Sequence, residues 1–157
     1  MLIRKAIKAD AEAIAKLFVE NVDETYITAS EAVWGRAVLD GGWAPNLYEV
    51  VREEAEAAVD LDDKLVICLF DDDGSLIGYT FTALKPSNCA EIEDFVLRKD
   101  KRGQGLGIML HDVTQGALKE VECKTVFMEV STENKNMQCF VERDGMKPTS
   151  IRYWKNL

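Results

Sequence analysis

Three glycines in six residues mark the segment Arg102-Gly103-Gln104-Gly105-Leu106-Gly107. Glycine lets a backbone pass close to a ligand and turn its N–H groups toward it. Leu106, Met109, Leu110, Val113 and Leu118 follow at helical spacing, so the tract opens a helix over 105–120. A helix start carries N–H groups without intrahelical acceptors and a partial positive charge. The segment therefore has the parts of an anion cradle, to which Arg102 can add a charged contact. It is not a P-loop, because no Gly-Lys-Ser/Thr occurs. It is not a dinucleotide fingerprint, because the sixth position from Gly103 is Ile108. Taken alone it fits a flexible turn of small residues as well as a ligand loop.

Three carboxylates stand shortly before it: Glu91, Glu93 and Asp94 on an apolar strand over 91–97. Strand alternation places Glu91 and Glu93 on one side and Asp94 on the other, unless a bulge intervenes. A carboxylate so placed can take a proton from a substrate, or can be a solvated surface group. The single His111 reads as an ordinary helix residue. Cys68, Cys89, Cys123 and Cys139 are all too far apart for a CxxC-type metal knuckle, so no metal is expected. Each has apolar neighbours and reads as a reduced, buried structural thiol.

The elements that must position these residues alternate. A strand over 2–7 precedes a helix over 11–22, capped by Asp10, with Ile14, Leu17 and Phe18 on one face. Residues 23–62 are mostly helical in pattern, broken at Asp40-Gly41-Gly42 and Pro45. Strands over 64–70 and 76–84 flank the turn Asp72-Asp73-Gly74-Ser75. After the strand over 91–97 and the helix over 105–120 come a strand over 125–130, a helix over 134–143 closed by Gly145, and a strand over 147–154 bent at Pro148. The order β-α-α-β-β-β-α-β-α-β predicts an α/β (α+β) fold, a mixed sheet with helices on it, in one domain over 1–157.

Several spaced elements share one likeness. Ile92 to Leu97 followed by Arg102-Gly103-Gln104-Gly105-Leu106-Gly107 resembles motif A of the GNAT superfamily of N-acetyltransferases, R/Q-x-x-G-x-G/A five residues after a strand ending in an aliphatic. Val130-x-x-x-Asn134 and Phe140-Val141-Glu142-Arg143-Asp144-Gly145-Met146 resemble the family's V-x-x-x-N and L-Y-E-K-x-G-F elements. The resemblance implies a GNAT-like fold and an acetyl-CoA cosubstrate. It implies that the backbone of Phe95, Val96 and Leu97 pairs with the pantetheine arm and that one of these N–H groups holds the oxyanion. The backbone of Gly103, Gln104, Gly105, Leu106, Gly107 and Ile108, beside Arg102, would hold the pyrophosphate, and Asn134 would bond the pantetheine side or cap its helix. It implies Glu93 as catalytic base. An alkyl amine with a pKa of about 10.4 needs roughly 4–5 kcal/mol to reach its neutral form at pH 7, so a proton acceptor matters. Where the family often has a Tyr near the CoA sulfur, this chain has Val141; Cys139, Tyr79 and Tyr153 are the other candidate proton donors. Tyr26, Trp34, Trp43 and Tyr48 fall where the family builds its acceptor site, or are core.

The net charge of −9 disfavours a nucleic-acid partner; it serves solubility, as in most acidic proteins, or suits a cationic amine. No apolar run approaches the roughly 20 residues of a membrane helix, and the first residues lack a secretory core, so a cytoplasmic protein without a membrane partner is expected. A homodimer is expected from family habit alone. Two functions fit: an N-acetyltransferase acting by direct attack in a ternary complex on a small-molecule or peptide amine, or a non-catalytic acyl-CoA-binding module that senses its ligand.

Overall fold

The computed structural model of the chain describes residues 1–155 and 157. They form two compact units, Met1–Val22 with Tyr48–Met128, and Asp23–Leu47 with Glu129–Leu157.

The first unit is built on a five-stranded sheet of order β1-β4-β5-β6-β7, comprising β1 (Leu2–Lys5), β4 (Lys64–Phe70), β5 (Leu76–Lys85), β6 (Cys89–Leu97) and β7 (Thr125–Met128). The intervening β2 and β3 lie in the other unit. All neighbours are antiparallel except β6 and β7, which run parallel. In β4 and β5 consecutive residues are buried, which requires cover on both faces. Helices supply it. α1 (Ala11–Asn21) packs on β5 and β6, and α4 (Leu106–Glu120) packs on β4 and β5. α4 is fastened where the Thr114 and Thr80 hydroxyls share a buried hydrogen bond of 2.8 Å. His111, on the same helix, is buried with its ring edge-on to Phe95 at 5.9 Å. α3 (Leu47–Ala58) turns Val51, Ala55 and Ala58 inward.

Two features depart from expectation. Asp10 stands at the start of α1 but its side chain caps no α1 N–H group. Its carboxylate instead accepts two bonds from the Arg4 guanidinium, 2.6 and 2.9 Å, and one from the Ile7 N–H at 2.8 Å. A bidentate guanidinium outweighs a single cap bond. The second feature is a bulge. β5 pairs Phe81 with Asp94 and Thr82 with Ile92, leaving Glu93 as an additional residue in β6. Simple alternation over 91–97 therefore does not hold. Ala90 and Leu97, seven apart, share one hydrophobic cluster with Leu110 of α4, and Phe95 packs against it.

The second unit begins with a 3-10 turn at Glu24–Tyr26 and α2 (Ala29–Val33), followed by the hairpin of β2 (Ala37–Val38) and β3 (Gly42–Trp43). The helical pattern over 23–47 is thus only partly realised. Arg36 is buried beside Glu31 at 3.5 Å, and its guanidinium lies 5.3 Å from the Trp34 ring. α5 (Lys135–Arg143) is capped by Asn134. The strand expected over 147–154 is absent. Pro148 supplies no ladder donor, and Ile151 and Tyr153 are 78% and 86% exposed. The thiols also differ from expectation: Cys68 is buried, with its pKa pushed up to about 12 by that burial, but Cys139 is exposed on α5.

The Arg4 guanidinium holds the Asp10 carboxyl below its ordinary value. A lowered folded pKa contributes stability above the unfolded value and loses it as pH falls through the folded one. Asp10→Asn should therefore cost about 1–2 kcal/mol at pH 7, and its deficit should shrink below about pH 4. Urea unfolding of both proteins across that range measures it.

Candidate functional site

The bulge decides where the carboxylates point. Lys64 donates to Glu93 Oε2 at 3.0 Å and lies 5.4 Å from the Phe81 ring, and Phe81 is the ladder partner of Asp94. Glu93 and Asp94 therefore occupy the same face, not opposite ones. Glu91 joins them, since Lys85 Nζ lies 3.3 Å from Glu91 and 3.7 Å from Glu93. The Glu93 side chain is only 10% exposed, so it is not a solvated surface group. Asp94 is buried and accepts the Tyr79 hydroxyl at 3.0 Å. Tyr79 is thereby a core residue. Lys64 and Lys85 had no reading in the sequence, because each matters only through the register of strand ends.

Beyond Glu93 the sheet opens. β7 pairs with β6 only from Cys89↔Thr125 to Ile92↔Met128. The rest of β6 keeps its β5 ladder, which ends with the Arg98 N–H donating to the Ile77 carbonyl at 2.8 Å. In an antiparallel ladder the N–H groups alternate in direction. Those of Arg98, Val96 and Asp94 face β5, and those of Phe95 and Leu97 face away from it, past the end of β7. The N–H groups of Phe95 and Leu97 thus point to the side on which β7 has ended, while that of Val96 does not.

From there the chain runs through the 3-10 turn Lys99–Lys101 into the glycine tract. Gly103 and Gly105 take φ of +73° and +80°, and an added Cβ at either would meet no atom within 4 Å. The backbone here is shaped by left-handed glycines beside open space. Gly105 is the N-cap of α4, and the first intrahelical bond is from the Met109 N–H to the Gly105 carbonyl at 3.1 Å. The N–H groups of Leu106, Gly107 and Ile108 thus have no intrahelical acceptor. No acidic residue occupies the first turn. This is the local structure of an anion site.

The side chains of the tract do other work. Arg102 Nε donates to the Leu97 carbonyl at 3.0 Å and its Nη2 to the Asn21 carbonyl at 2.8 Å, so its guanidinium braces the loop instead of standing free for an anion. Gln104 Nε2 donates to the Asp100 carbonyl at 2.8 Å.

Asn134 belongs to the second unit, where its Oδ1 accepts the Met137 N–H at 3.1 Å as a helix cap. Val141, Cys139 and Tyr153 belong to that unit as well, as do Tyr26, Trp34 and Trp43. Among the described residues, no three of His, Cys, Asp and Glu gather as a metal site would require, and no helix is long and apolar enough to cross a membrane.

Comparison with known proteins gives these features a context. A family model described as Acetyltransferase (GNAT) family matches residues 28–146. Among curated proteins, none matches the chain. Similar solved structures include a variant of the BH1408 protein from Bacillus halodurans, 19% identical over 100% of both chains with a TM-score of 0.78. The aminoglycoside N-acetyltransferase AAC(6')-Iy in complex with CoA is 16% identical over 99% of this chain and 93% of its own, TM-score 0.71. A ribosomal-protein-alanine N-acetyltransferase from Brucella melitensis biovar Abortus 2308 is 14% identical over 99% and 98%, TM-score 0.68. At these identities the likeness is one of fold.

Because space beside Gly105 is open, Gly105→Ala isolates the cost of its left-handed backbone. The variant should lose about 1–2 kcal/mol of stability, read as a lower midpoint in thermal unfolding, with an unchanged circular dichroism spectrum.

Proposed function

Since the chain belongs to the GNAT family of acetyltransferases, we propose that it is an acetyl-CoA-dependent N-acetyltransferase acting on a primary amine by direct attack in a ternary complex. The observation that carries this reading is the stretch of β6 past its last β7 pair, with the Phe95 and Leu97 N–H groups turned to that side, leading directly into the glycine-shaped start of α4. An extended amide-bearing chain suits the former and a charged phosphate group suits the latter. Acetyl-CoA has both parts in that order and supplies an activated acetyl thioester. The residues present fit it: the cradle has room where side chains would stand, and its first turn has no opposing carboxylate.

The chain's own residues would divide the remaining tasks. The N–H groups of Phe95 and Leu97 would hold the pantetheine arm, and one of them would polarise the acetyl carbonyl. Backbone from Gly103 to Ile108 would hold the pyrophosphate, and Asn134 would bond the pantetheine side. Glu93 would take the proton that an alkylammonium must lose before its nitrogen can form the amide bond. Lys64 and Lys85 already contact Glu93, but each carboxylate oxygen has a second lone pair, so capacity to accept remains. As the carbon–sulfur bond breaks, the departing thiolate would take its proton from water, since Val141 has none to give and Tyr79 is held by Asp94. A thiol of pKa about 8.5 leaves readily enough for that. The net charge of −9 favours a cationic acceptor in the cytoplasm.

Val141 favours one other reading, a GNAT-like module that binds acyl-CoA and senses it. Thiol release from acetyl-CoA across a panel of small amines and peptides separates the two. The enzyme releases CoA with at least one acceptor; binding without release across the panel supports the sensor. With a working acceptor, Glu93→Gln should lower kcat by roughly 10²–10⁴-fold and change the KM for acetyl-CoA little. An unchanged kcat would remove Glu93 from the mechanism.

A further inference from the structure

Asn21 closes α1, 78 residues before Lys99 in the chain, yet three hydrogen bonds converge on it. Its Nδ2 donates to the Leu17 carbonyl at 2.8 Å, which fixes the side chain against its own helix. Its Oδ1 accepts the Lys99 N–H at 2.8 Å, and its backbone carbonyl accepts Arg102 Nη2 at 2.8 Å. Lys99 and Arg102 bracket the turn that delivers the chain into the glycine tract. The same Arg102 guanidinium reaches back to the Leu97 carbonyl at the end of β6. Asn21 is 5% exposed, so these bonds form with little competition from water.

We propose that Asn21 is a positioning residue for the cofactor loop: it sets the height and direction at which the Gly103–Ile108 backbone meets the pyrophosphate. The inference rests on the acetyl-CoA reading. Glycines at 103 and 105 add no side chain, and Gln104 ties the loop only to the nearby Asp100 carbonyl, so its ligand-ready shape also depends on contacts from outside the segment. Lys99 is held by one atom of Asn21 and Arg102 by another, and a single buried residue thereby fixes both ends of the turn. Binding that depends on a pre-shaped cradle weakens when the shape must be formed at the moment of binding.

The test uses Asn21→Ala, which removes the side-chain acceptor, and Asn21→Asp, which keeps an acceptor for the Lys99 N–H beside the Arg102 guanidinium. Titration with CoA should show Asn21→Ala binding about tenfold more weakly than wild type, as loss of the part-buried bond from the Lys99 N–H implies, and Asn21→Asp recovering much of that loss. Pantetheine at millimolar concentration, which lacks the pyrophosphate, should bind wild type and Asn21→Ala alike. Equal CoA affinity in wild type and Asn21→Ala overturns the proposal. So does an equal loss for CoA and pantetheine, which would mark Asn21 as a general structural residue. If Asn21→Ala does not fold, amide exchange on the wild type decides: a Lys99 N–H protected before CoA is added supports the pre-shaped loop, and one protected only with CoA overturns it. Wild type without affinity for CoA overturns the acetyl-CoA reading itself, and this proposal with it.

Discussion

One residue more in β6 than in the strand beside it shapes the whole candidate site. The β5–β6 ladder admits Glu93 as a bulge, and a bulge changes side-chain parity and bends its strand. Parity lets Ala90 and Leu97 both join the cluster under α4, so the strand stays anchored in the core on either side of the irregularity. It also brings Glu91, Glu93 and Asp94 to one face, where Lys64 and Lys85 meet the first two and Tyr79 the third. The parallel ladder with β7 stops at Ile92, immediately before the bulge. Beyond that point the N–H groups of Phe95 and Leu97 point to the side that the β7 ladder no longer lines. Without the bulge, Asp94 would stand on the face opposite Glu91 and Glu93.

The stretch of β6 past its last β7 pair would be of limited use unless the chain after it were held still. Arg102 illustrates how local chemistry and global architecture combine. A guanidinium beside a glycine tract suggests an anion ligand, but this one lies among backbone carbonyls, bonded to Leu97 and Asn21. Its charge is turned to bracing, and the anion is left to backbone N–H groups at the start of α4. That division suits a ligand that must come and go, because N–H groups of a fixed helix bind without ordering a long side chain.

Much of this was legible in the residues themselves. Glycines at 103, 105 and 107 before a helical apolar pattern mark the turn into α4, and the spaced likenesses at 91–97 and 130–146 point to the family that the comparison shows. α1, β4, β5, β6 and α4 follow from periodicity because each buries a long apolar face. Long-range contacts escaped. The bonds of Asn21 to Lys99 and Arg102 span 78 and 81 residues, and no periodicity encodes them. The relation of Asp94 to Glu93 depended on a bulge, which strand alternation does not reveal. The strand expected over 147–154 does not form: Pro148 has no N–H to give a ladder, and Ile151 and Tyr153 face solvent.

The central claim is that one ligand spans the β6 edge and the glycine tract. Backbone amide NMR during titration with acetyl-CoA tests it most directly, because every relevant group is an N–H. Saturable shift changes should appear at Phe95 and Leu97 and across residues 103–108 with one common dissociation constant. Absence of shifts at both segments, or shifts confined to residues outside them, would contradict the account.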